Sequence, residues 1–121
     1  MEWRDITSLA LHPVTRLRIR RDGPVVTLSV YGVQTVAGNR PLLGSATLPS
    51  WLRPDGTLAA QGVIVANDIG SRILGKLQPS SVGAIEWKCP ETSSEAGYAY
   101  MTYTNPEPIP APASWPGSSI T

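Results

Sequence analysis

The chain is predicted to be all-β: an antiparallel β-sandwich or jelly roll of about seven to eight short strands, followed by an extended proline-rich tail. Three observations lead there. With 11 glycines and 12 prolines in 121 residues, no stretch is left for a long helix. Between these breakers, apolar and polar residues alternate with the period of two that marks a half-buried strand. Hydrophobic residues, 41% of the chain, suffice for one packed core at a length that normally makes one domain.

Residues 1–104 are read as that domain, with 1–13 as an irregular N-terminal segment. A single helical turn within 6–11 is the most it can hold, capped by Asp5 or Thr7 and ended by Pro13. In 15–20, Leu17 and Ile19 share one strand face while Arg16, Arg18 and Arg20 share the other. Arg21-Asp22-Gly23-Pro24 reads as a turn, with Arg21 next in line after the basic row. The following run, 25–33, sets Val26, Leu28 and Val30 against Thr27, Ser29 and Tyr31, which completes a hairpin.

A weaker strand is expected over 42–48, closed by Pro49 and followed by an irregular segment, 49–56. Val63, Ile64 and Val65 lie in a strand at 61–66, which Asn67-Asp68-Ile69-Gly70 turns into a partner at 71–77. A third hairpin joins 84–89 to 98–104 through the loop at 90–97. From residue 105 to 121, prolines at 106, 108, 110, 112 and 116 predict an extended tail without a ladder of its own.

The inventory for catalysis is thin. His12 stands alone and reads as a surface or capping histidine. Cys89, the one cysteine, has no disulfide partner and reads as a small buried hydrophobe. Asp22, Asp55 and Asp68 fall in turns, and Glu86 shares a solvated strand face with Lys88. No GxSxG elbow, HExxH pair or phosphate-binding GK[ST] loop is present, so no catalytic residue, cofactor or metal site is expected. A formal net charge of +1 offers no field to gather nucleic acid. No apolar run reaches the ~20 residues of a membrane span, so a soluble chain without membrane insertion is expected.

Binding features are better represented. The row Arg16, Arg18 and Arg20 needs an answering charge, either neighbouring carboxylates and solvent or an acidic partner or anionic glycan. Tyr31, Tyr98 and Tyr100 place rings with polar tips on strand faces, which suits a subunit interface, with Tyr98, Tyr100 or Trp51 the alternative sugar-stacking platform. Trp87 belongs to the core beside Ile85 and Cys89, whereas Trp51 and Arg53 make a candidate surface-binding loop.

Several strings then point further. Trp3-Arg4-Asp5-Ile6-Thr7, Arg18-Ile19-Arg20-Arg21 with Val26-Thr27-Leu28, Leu48-Pro49-Ser50-Trp51-Leu52-Arg53-Pro54, and Trp115-Pro116-Gly117 resemble, in order, the C-terminal receptor-binding domains of minor tail proteins or tail fibres of phages infecting actinobacteria. The resemblance implies a structural virion protein of the tail, made in the host cytoplasm. It implies a homotrimer that meets other tail proteins and a glycan or envelope component of the host surface. A stand-alone carbohydrate-binding module and a capsid decoration protein are the alternatives.

Overall fold

The computed structural model describes residues 1–54, 62–68, 71–79, 83–92 and 94–120, with backbone alone for 62–68, 71–74 and 79. The protein is all-β and antiparallel. Its strands are β1 (Arg4–Asp5), β2 (Val14–Asp22), β3 (Val25–Val33), β4 (Gly38–Leu43), β5 (Gly62–Asp68), β6 (Ser71–Pro79), β7 (Ile85–Cys89), β8 (Gly97–Thr104) and β9 (Ser118–Ser119). They are hydrogen-bonded in the order β4-β7-β6-β5-β8-β3-β2-β1-β9. The ladder narrows to the single pair Val65 and Tyr98 where β5 meets β8, and there the two halves of the sandwich part.

Strict alternation builds the core. Along β8 every second residue is buried, from Gly97 through Ala99 and Met101 to Tyr103. Register aligns these residues with β3 and β2 in inward-facing rows: Ala99, Val30 and Leu17, then Met101, Leu28 and Ile19. Leu42, Leu43, Leu77, Ile85 and Trp87 from the other half join them in one cluster. The fully buried Trp87 alone removes enough apolar surface to contribute roughly 2–3 kcal/mol.

Several expectations are corrected. The strand expected at 42–48 is β4 at Gly38–Leu43; Pro41 fits inside it because β4 is an edge strand and Pro lacks a ladder donor. The expected third hairpin does not form. β7 pairs with β6 and β4, while β8 pairs with β3 and β5 in the other half. Residues 105–121 do carry a ladder: β9 pairs with β1, setting Arg4 opposite Ser119 and Asp5 opposite Ser118. Arg4 secures this strap by donating to the carbonyls of Pro116 and Gly117, at 3.0 and 2.9 Å. Gly117 holds φ at +68°, and a Cβ there would overlap the Asp5 carbonyl, so the close approach requires glycine. The hairpins β2–β3 and β5–β6 form as expected. Asp55-Gly56 and Ile69-Gly70 lie outside the described residues.

The N-terminal turn forms too, as a 3₁₀ turn at Thr7–Leu9. The Asp5 carboxylate accepts from both the Thr7 backbone N–H at 2.9 Å and the Thr7 hydroxyl at 2.6 Å. These bonds, aided by the field of Arg18 and Arg16, hold the Asp5 carboxyl below its ordinary 3.8. No helix among the described residues is long and apolar enough to cross a membrane.

Candidate functional site: the outer face of β2, β3 and β8

The same alternation that buries one side of β2, β3 and β8 turns the other side outward. Register then sorts the outward residues into cross-strand rows. Arg16 stands opposite Tyr31, which stands opposite Tyr98; Arg18 stands opposite Ser29, which stands opposite Tyr100. All the arginines and tyrosines singled out in the sequence as interface candidates therefore lie on one face. At that face Tyr31 and Tyr98 are each 46% exposed and Tyr100 is 68% exposed, unusual for large rings outside a contact surface.

Each ring has a defined neighbour. Tyr31 and Tyr98 meet edge to face with centroids 5.0 Å apart, and the Arg16 guanidinium lies 4.8 Å from the Tyr31 centroid. A bulge between Tyr31 and Val33, carried by Gly32 at φ +73°, ends the row. A Cβ on Gly32 would overlap Thr15, so this end of the face depends on glycine.

The charges are answered unequally. Arg20 pairs with Asp22 across an exposed contact and stacks at 5.8 Å from the Trp3 ring. Arg18 faces Asp5 across the β1–β2 register, but no carboxylate among the described residues comes within ion-pair distance of Arg16 or Arg18. The Arg18 Nε is buried and has no hydrogen-bond acceptor. Arg16, Arg18, Ser29, Tyr31 and Tyr100 together line a cleft of about 170 Å³.

Arg21 was expected to extend this basic row, and it does not. One step of alternation puts it on the inner face, where it is only 3% exposed. All three nitrogens of its guanidinium donate to backbone carbonyls: Nε to Gly23 at 2.7 Å, Nη1 to Trp51 at 2.6 Å, and Nη2 to both Asn105 and Glu107. Tyr103, two strands across in the same row, donates its hydroxyl to the Leu52 carbonyl at 2.6 Å. Burial pushes the Tyr103 phenol well above its ordinary range. Asn105 completes the latch, donating to the carbonyls of Ser50 and Arg53.

That latch corrects the expected surface-binding loop. Trp51 sits in a 3₁₀ turn at Ser50–Leu52 with 7% exposure, packed into the core, and offers no platform for a sugar ring. Arg53 spends its Nε on the Leu48 carbonyl at 2.7 Å. His12 lies half-buried, its Nε2 2.9 Å from the Gln34 carbonyl and its ring 4.9 Å from Trp87. Cys89 is buried, as expected, and its thiol donates to the Glu91 carbonyl. Among the described residues, no three His, Cys, Asp or Glu side chains converge as a metal site would need. No protein-family model matches the chain, and a search of the curated proteins returns no match.

Proposed function

We propose that the chain is a structural component of a phage tail that assembles as a homotrimer and meets the host surface through the outer face of β2, β3 and β8. The observation that carries this reading is the gathering of Arg16, Arg18, Tyr31, Tyr98 and Tyr100 on one exposed face. Aromatic rings and arginines are the side chains most enriched at contact surfaces, because they bury large areas at modest entropic cost. Among the described residues, several groups that a catalytic reading would draw on are engaged: His12 against Gln34 and Trp87, Cys89 with Glu91, Asp5 with Thr7 and Asp22 with Arg20. The ordered sequence resemblance to tail proteins adds the setting.

Light scattering on the purified chain tests the assembly. A mass of three copies is expected, and a monomer across the micromolar range overturns it. The high exposure of Tyr100 favours one second reading, a stand-alone carbohydrate-binding module, which a monomer that binds polysaccharide would establish instead.

A further inference from the structure

We infer that the cleft between Arg16, Arg18 and Tyr100 is a subsite for the carboxylate of an acidic sugar, and that the occupant of this face is a carboxylated glycan. The inference rests on the reading of this face as a contact surface and names what it contacts. Three observations carry it.

The first is the Arg18 Nε, a donor on a permanently charged group that is withdrawn from water and has no acceptor. Such a group is costly to leave unmade, and it belongs to a residue that lines the cleft, so the chain itself leaves part of that guanidinium's charge for an anion at the cleft to offset. The second is unequal neutralisation along one row of like residues. Asp22 pairs with Arg20, whereas Asp5 lies in the field of both Arg18 and Arg16 but forms an ion pair with neither, its Oδ1 accepting from Thr7, so one carboxylate stands against two guanidiniums and a net positive charge remains. A carboxylate is the planar acceptor that a guanidinium binds best.

The third observation is size and lining. At about 170 Å³ the cleft is far below the ~300–1,000 Å³ of a pocket that swallows a whole ligand. It takes one acidic group while the rest of the molecule lies outside on the exposed rings of Tyr98 and Tyr100. Tyr31 and Tyr100 wall the cleft and Ser29 adds a hydroxyl. The Tyr100 ring beside a hydroxyl and two guanidiniums suits the apolar face, hydroxyls and carboxylate of a uronic acid. An acidic peptide would use only the charge.

Affinity electrophoresis of the full chain in gels containing polygalacturonate, neutral dextran or poly-glutamate is the test, with light-scattering mass measured in parallel. Retardation is expected in polygalacturonate and in neither of the others. Arg18→Gln and Tyr100→Ala should each weaken it by about tenfold at unchanged mass, since each removes a charge-assisted bond or a wall of the cleft. Arg20→Gln should change it less than about twofold, because Arg20 already has its partner. Should Arg18→Gln fail to fold, Arg16→Gln carries the same expectation. Equal retardation by poly-glutamate or dextran, or retardation untouched by these substitutions, overturns the proposal. A monomeric mass with selective binding overturns the trimer alone, so the two readings fail separately.

Discussion

Arg18 and Arg21 lie three residues apart on the same strand and have opposite lives. Arg21 points inward and spends its donors on four carbonyls drawn from the β2–β3 turn, the Ser50–Leu52 turn and the start of the C-terminal segment. Arg18 points outward beside tyrosine rings and keeps a buried Nε without an acceptor. The difference teaches how to tell a structural arginine from a binding one: the first has every nitrogen engaged within its own chain, the second has a buried nitrogen left over.

The contrast is broken most severely at Arg21. Arg21→Met leaves the carbonyls of Trp51, Asn105 and Glu107 without their donor, and should cost roughly 3–5 kcal/mol in urea unfolding. Arg18→Gln should stay within about 0.5 kcal/mol of the parent. Equal losses from the two would erase the distinction.

Truncation after Thr104 attacks the same latch from its other side. It removes Asn105 and Glu107, the β9 strap and the partly buried Trp115 that packs on the core, whose Nε1 donates to the Pro110 carbonyl. A loss of about 2–4 kcal/mol is expected by thermal or urea unfolding. A truncated chain as stable as the parent would show that Arg21 finds other acceptors. Gly117→Ala is milder, because strain at φ +68° and overlap with Asp5 loosen only the strap, at about 1–3 kcal/mol. Faster amide exchange should then appear at Arg4 and Asp5 while β3 and β8 stay protected.

The smallest effect is electrostatic. Because the folded Asp5 carboxyl titrates below its unfolded value of 3.8, the stability it contributes is present above about pH 4 and is lost as pH falls through the lowered folded value. Asp5→Asn should therefore be less stable than the parent at pH 7, by under about 1 kcal/mol, with the gap closing near pH 2. A gap that persists there would assign the loss to the Thr7 hydrogen bonds alone.

Much of this was legible in the sequence, and the limits have physical causes. Period-two alternation fixes faces, so the outward set Arg16, Arg18, Arg20, Tyr31, Tyr98 and Tyr100 and the inward Leu17, Ile19, Val26, Leu28 and Val30 were readable residue by residue. Alternation would also have placed Arg21 inside, but the turn signal Asp22-Gly23-Pro24 masked the continuation of the strand through Asp22. Pairing is not local, which is why β7 and β8 looked like a hairpin and are instead in different halves. Trp51, among prolines, carried no periodicity to reveal its burial. Ser118–Ser119 is too short to show any. The net positive charge left at Arg16 and Arg18 became visible only when register showed which carboxylates lay within reach.

The pairing of β1 with β9 also bears on how this fold is joined to other chains. Adjacent strands lie about 4.8 Å apart, so both ends of the polypeptide leave from the same margin of the sandwich. A short linker between them should permit circular permutation, and the whole unit can be grafted into a loop of another protein as a single-point insertion.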